Sequence, residues 1–323
     1  MQEQFTYAVA RIRCKELMLL SEVDINRMLA CNNYKECINI LRDKGWGNED
    51  SELENYHALL SAEESKLWQF IFELVPNRIN YKIILLPIDF HNLKAAIKGF
   101  MTKSLSENLF ISGGTIKTEK MIKIIENSDF GELPDYMIEP ARLAFEKLLY
   151  TGDGQICDNI LDKALLETIK REGEISKNSL IKSYAEFYIA SSNIKIAIRS
   201  QILNKNTNFI RSQLVKCNTL DTEKLAIESQ KGQEALCEYL LFTDYAESVP
   251  FIKESLQKFE IWRDNKIIEL IKNEKYKSFS IGPIIAYILA RQNEFKVARI
   301  ILSGKLHSIN NDLIKERLRN MYA

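Results

Sequence analysis

Helix breakers are scarce in this sequence: 12 glycines and 6 prolines in 323 residues leave room for long helices and few hairpins. An excess charge of one sign is missing too, because 44 Lys and Arg balance 44 Asp and Glu. A nucleic-acid binder carries a basic excess that displaces phosphate counterions, so no nucleic-acid partner is expected. No apolar run reaches the roughly 20 residues that a bilayer crossing requires. The best, 279–290, is shorter and is followed by Arg291. The six cysteines, at 14, 31, 37, 157, 217 and 237, include no CxxC pair, and no signal peptide is expected before them. Reduced thiols in a cytoplasmic protein are the expectation.

The constellations that carry chemistry are equally thin. Gly304-Lys305-Leu306 lacks the earlier glycine and the hydroxyl of a nucleotide-binding loop, and neither GxGxxG nor GxSxG occurs. Three histidines, His57, His91 and His307, lie far apart and none belongs to HExxH. Glu63-Glu64 reads as a solvated polar helix face. No catalytic group, metal or cofactor is expected.

What the sequence does contain is a repeat. Residues 89–99, DFHNLKAAIKG, return as SSNIKIAIRS at 191–200 and as QNEFKVARII at 292–301. At a constant spacing of 101 positions, Asn92 aligns with Asn193 and Glu294, Lys94 with Lys195 and Lys296, and Ala96 with Ala197 and Ala298. A second element, TIKTEKM at 115–121, recurs as TLDTEKL at 219–225 and more weakly as EVDINRM at 22–28. Two elements recurring in one order point to duplication. The period is too long for a two-helix solenoid unit, so each copy is expected to be a small multi-helix domain. The repeats are placed at 1–105, 106–205 and 206–323, the last with a C-terminal helix.

Periodicity predicts an all-α chain. In the first repeat, helices are expected over 5–20, 24–29 and 34–44, the last ended by Gly45 and Gly47 before an acidic loop at 46–55. A capping box, Ser61 with Glu64, should open a helix that Pro76 stops. Residues 81–89 are strand-like by local preference but hold the place of helices in the later copies; they read as helix, bent near Pro87, running on to about Phe100. The second repeat should hold helices over 118–126, 137–150, 156–170 and 178–203. The third should hold 209–215, 222–231, 232–243, 250–274 and 283–302, with Gly304 ending the last and 313–321 as a basic terminal turn. His91 and Asn92 read as helix-starting caps.

Residues 89–95 (DFHNLKA), the opening 7–13 (YAVARIR) with Glu16, Leu19 and Leu20, and the closing 285–291 (IAYILAR) with 299–302 (RIIL) together resemble the C subunit of bacterial and archaeal V/A-type ATPases, the counterpart of the eukaryotic V-ATPase d subunit. The resemblance covers essentially the whole chain. It implies an all-helical funnel of three similar domains about a pseudo-threefold axis, a non-catalytic rotor part. One end would sit on the cytoplasmic face of the membrane proteolipid ring, and the cavity would receive the foot of the central shaft. Membrane contact would be through the ring alone, with one copy per complex. Nucleotide chemistry and ion choice would belong to other subunits.

Lys94, Lys195 and Lys296, at equal phase in three repeats, could form a basic ring able to grip an acidic partner. Retention from a duplicated ancestor gives the same pattern. With Arg11 and Arg13 they are the candidate partner-contact residues, which the family motif does not itself assign. Two other classes fit the same composition: a helical scaffold for a soluble partner, and an enzyme with its site between repeats.

Overall fold

A computed structural model describes residues 5–47, 56–104 and 109–323. Among them every regular element is helical, so the fold class is all-α. The chain opens with α1 (Thr6–Glu16), α2 (Glu22–Ala30), α3 (Tyr34–Asp43) and α4 (Tyr56–Leu74). It continues through α5 (Lys82–Thr102), α6 (Thr118–Asn127), α7 (Asp135–Thr151), α8 (Gly154–Ile175) and α9 (Ser179–Ile202). Shorter helices follow: α10 (Thr207–Gln213), α11 (Thr222–Lys231), α12 (Gln233–Leu240) and α13 (Val249–Glu254). The chain closes with α14 (Leu256–Lys272), α15 (Gly282–Leu306) and α16 (Asn311–Lys315).

Side-chain caps start many of these helices. Asn33, Asn178, Asn206 and Asp221 each accept a backbone N–H from the first turn they precede, which satisfies donors that no helical carbonyl can reach. Ser21 and Asp24 form a reciprocal capping box on α2. Residues 82–102 form one helix that contains Pro87.

Five expectations are corrected. Ser61 is an interior residue of α4, because the helix is already formed at Tyr56. The helix expected over 250–274 is two, parted at Ser255, whose extended backbone and side-chain bond to the Lys258 N–H begin α14. α1 stops at Glu16, and Leu19 and Leu20 are buried outside it. Gly304 does not end α15. It lies inside, where a Cβ would come within 2.5 Å of Ile314, so the missing side chain lets α16 close on α15. Beyond α16, residues 316–323 are not helical, and the loop expected at 46–55 lies, from 48 on, outside the described residues.

The contacts divide the chain into two compact units, 1–80 with 254–323, and 81–253. These borders fall inside the first and third sequence repeats. A repeat is marked by likeness of sequence, a compact unit by contacts.

In the first unit α15 is the central element, packed by α1, α3, α4 and α14. Its residues from Gly282 to Arg291 are all buried. This explains the longest apolar run of the chain: a helix covered all round needs no polar face. No described helix is long and apolar enough to cross a membrane.

In the second unit α8 is central, with α5, α7 and α9 against it, and α9 in turn carries α10 and α11. Three ion pairs join α5 to α8: Lys82 to Glu172 at 2.7 Å, Lys94 to Asp162 at 2.6 Å and Lys98 to Asp158 at 2.6 Å. As the lysine number rises the partner's falls, the signature of an antiparallel pair.

Candidate functional site

The repeated element proves to be an anchor. Asn92 is fully inside α5, not at its start, and so does not cap that helix. Its amide reaches across to the segment after the helix. Nδ2 donates to the Ile111 carbonyl at 2.9 Å, and Oδ1 accepts the Ile111 N–H at 2.9 Å. Asn193 on α9 makes the same two-point bond to Val215, at 2.7 Å and 3.1 Å. A primary amide matches a peptide group donor for acceptor, which is why asparagine suits this position. On α15 the neighbour of the aligned Glu294, Asn293, donates to the Asn320 carbonyl at 2.9 Å. His91 likewise sits mid-helix, with Nε2 3.0 Å from the Leu109 carbonyl.

The second repeated element is held by a carboxylate on the preceding signature helix. Asp89 accepts the Thr115 N–H at 2.7 Å and its hydroxyl at 2.6 Å. Glu186 accepts the Thr219 N–H at 2.7 Å and its hydroxyl at 2.9 Å. Each threonine also hydrogen-bonds a tyrosine, Tyr136 and Tyr245 respectively. Burial, then the nearby Asp89 charge, pushes the Tyr136 hydroxyl up to about 12. A carboxylate, threonine and tyrosine thus recur in two copies with their contacts kept.

The five candidate contact residues are placed differently from one another. Arg11 is exposed on α1, donating to the Tyr7 hydroxyl at 2.6 Å, with its guanidinium 5.8 Å from the Phe70 ring. Lys15 lies 5.6 Å from the same ring. Arg13 turns inward along its own unit, pairing with Glu16 at 2.7 Å and donating to the carbonyls of Glu274 and Lys277 at 2.8 and 2.9 Å. Lys94 is the middle rung of the α5–α8 ladder. Lys195 is half-buried on α9.

Lys296 pairs with Asp264 of α14 at 2.9 Å, beside Arg319 at 3.1 Å and Arg263 at 3.2 Å. Burial opposes ionisation of Asp264, but the cations led by Lys296 outweigh it and hold the carboxyl below the usual range. Arg11 and Arg13 share α1, and Lys94 and Lys195 belong to the other unit.

Sequence reading missed a buried ionic cluster in the first unit. Glu63 is 4% exposed and not a solvated helix-face acid. It accepts from Arg291 at 3.0 Å, from the Gly47 N–H at 2.9 Å and from Lys66 at 2.8 Å. Arg291 also pairs with Glu294 at 2.6 Å and lies 4.8 Å from the Trp46 ring and 4.7 Å from the Phe295 ring. The other Glu294 oxygen accepts the Leu20 N–H. Burial pushes the Glu294 carboxyl up to about 7 against the opposing pull of Arg291. Glu64, by contrast, faces Arg299 at 3.2 Å. An arginine that ends the apolar run 279–290, three residues before a glutamate, is the one local sign of this cluster.

Elsewhere, an open groove of about 400 Å³ in the second unit is lined by Lys170, Lys182, Glu174 and Glu186 and favours no ion of either sign. Among the described residues no three His, Cys, Asp or Glu side chains are placed to share a metal ion.

These features define a class: an all-α protein in which a repeated signature helix ties down the segment that follows it. Residues 8–317 match the family described as ATP synthase (C/AC39) subunit, and the chain belongs to that family. It is 24% identical to the C subunit of the V-type sodium ATPase of Enterococcus hirae over 318 residues, covering 96% of this chain and 97% of the relative. Against the C subunit of the A-type ATP synthase of Methanocaldococcus jannaschii it is 25% identical over 346 aligned positions, covering 97% and 86%. The corresponding A-type protein of Pyrococcus furiosus is 24% identical, with 97% and 89% covered.

Proposed function

We propose that this chain is the non-catalytic central-stalk subunit of a V/A-type rotary ATPase, joining the central shaft to the membrane proteolipid ring and passing torque between them. Ion transport is thereby coupled to ATP hydrolysis or synthesis carried out in other subunits. The observation that carries this reading is the match to the C subunit of a V-type sodium ATPase along nearly the whole of both chains. The protein would stand as a single copy at the cytoplasmic face, touching the membrane only through the ring. The three-repeat funnel, with repeats at 1–105, 106–205 and 206–323, belongs to the same proposal and is supported by the asparagine anchors of α5 and α9.

A rotor joint requires stiffness and grip. Long helices cross-braced by ion pairs and two-point amide bonds supply the first. For the second, Arg11, Lys94, Lys195 and Lys296 are proposed to face acidic partner groups, with Arg13 fixing the α1 face through Glu16. Lys94 and Lys296 would exchange their internal carboxylates for a partner's.

The test is co-purification. The tagged chain is expressed with the products of its neighbouring genes, membranes are solubilised in mild detergent, and the captured proteins are identified. Recovery of a small proteolipid together with shaft subunits is the expected result. Recovery of soluble proteins alone would make the chain a helical scaffold for a soluble partner, and nucleotide turnover by the purified chain would make it an enzyme.

A further inference from the structure

We propose that Cys31 and Cys37 are a thiol-oxidation site that closes to a reversible intramolecular disulfide when a low-molecular-weight disulfide is the oxidant. This goes beyond the stalk reading and does not depend on it. Cys31 is the C-terminal cap of α2, and Cys37 lies in the first turns of α3. Both converge on one carbonyl: the Met28 oxygen accepts the Cys31 N–H at 3.3 Å and lies 3.2 Å from the Cys37 sulfur. The Cys31 thiol donates to the neighbouring Arg27 carbonyl at 3.4 Å, so both sulfurs lie against the last turn of α2. Cys31 is half-buried and Cys37 is buried, which gives an outer sulfur to meet the oxidant and an inner one to resolve it.

The step balances. The Cys31 thiol loses its proton to water, and its thiolate attacks one sulfur of RSSR, releasing a thiolate that is reprotonated to RSH. Cys37 then attacks the Cys31 sulfur of this mixed disulfide, and the second RS group leaves and takes up a proton. Two protein thiols become one disulfide while RSSR is reduced to two RSH.

The order of attack follows from the surroundings. Burial, then the charge of Cys31, pushes the Cys37 thiol up to about 12, while Lys305 pulls the other way. Capping Cys31 removes the repulsion and leaves the attraction. Lys305 is held nearby because its ammonium donates to the Leu29 carbonyl at 2.7 Å and to that of Cys31. In a reducing compartment such a pair stays open and closes only under oxidative load.

The full chain, reduced and then exposed to glutathione disulfide, is alkylated, digested with trypsin and weighed. Trypsin cuts after Lys35, between the two cysteines, so closure joins peptides 28–35 and 36–42. The expected product is that joined pair, lost on dithiothreitol treatment and absent in both Cys31→Ser and Cys37→Ala. Cys14, exposed on α1, reports that the oxidant was active. A stable glutathione adduct on Cys31 without the joined pair would overturn the proposal. So would free thiols at both positions while Cys14 is capped, or linkage of either to any other cysteine.

Discussion

Arg291 and Glu63 stand 228 positions apart in the chain and 3.0 Å apart in space. Their pair ties α4 to the fully buried stretch of α15, and removing one partner would leave a charge stranded in the core. Arg291→Met is expected to lower the unfolding free energy by about 3–5 kcal/mol. Denaturant titration checks this, and a loss below about 1 kcal/mol would mean the cluster is wetter than its burial implies.

Glu294 gives that cluster a pH dependence with a definite sign. Its carboxyl sits at about 7 in the folded chain against 4.5 as the ordinary value. Between those values the folded chain holds a proton that the unfolded chain has released. Stability from this group is therefore present below 4.5, lost as pH rises through about 7, and flat above. The full change is on the order of 3 kcal/mol. Asp24 and Asp264 act oppositely and at lower pH, since cations hold their carboxyls down despite burial. Native stability minus that of Glu294→Gln isolates the effect: this signed difference should fall from pH 5 to pH 7.5, and a constant value would refute it.

Asn193 is fully buried and satisfies both backbone groups of Val215. Asn193→Ala strands a donor and an acceptor together, at a cost of about 2–4 kcal/mol. Hydrogen exchange is the direct measurement. The Val215 amide should exchange faster by at least about tenfold, and unchanged protection would show that the anchor is dispensable.

Charge reversal at Lys94, Lys195 and Lys296 is expected to weaken capture of the shaft subunits. The exchange Lys94→Glu with Asp162→Lys keeps the ion pair and changes only the charge shown outward, so it separates grip from stability. The rung is partly exposed and contributes about 0–1 kcal/mol. Pull-down yield that stays at the native level in the triple variant would remove these lysines from the interface.

Much of the fold was legible because helix signals are local. The starts expected at Asn178 and Thr222 fall within about a residue of the observed ones, where the caps Asn178 and Asp221 precede the helices; Thr118 also matches, although Lys117 before it makes no side-chain cap bond. The break at Ser255 went unseen because apolar spacing continues across it. Ser61 misled because Ser followed by Glu three residues later is a cap only where no helix already exists.

The contacts of the repeated elements were partly legible. Equal spacing found Asn92 and Asn193, but that their amides clasp the following segment is a tertiary fact. The Glu63 and Arg291 pair was beyond local reading altogether, since nothing in the neighbourhood of either names the other.

The rungs between α5 and α8 are unevenly spaced, and this fixes more than attraction. Slid by one turn, about 5.4 Å, so that Lys94 meets Asp158, the helices would set Lys98 against Gly154 and Lys82 against Thr168. Slid the other way, Lys98 would meet Asp162 while Lys94 faced Leu166. Only one register closes all three pairs, so the two helices resist shear along their axes as a key resists a lock cut for different wards.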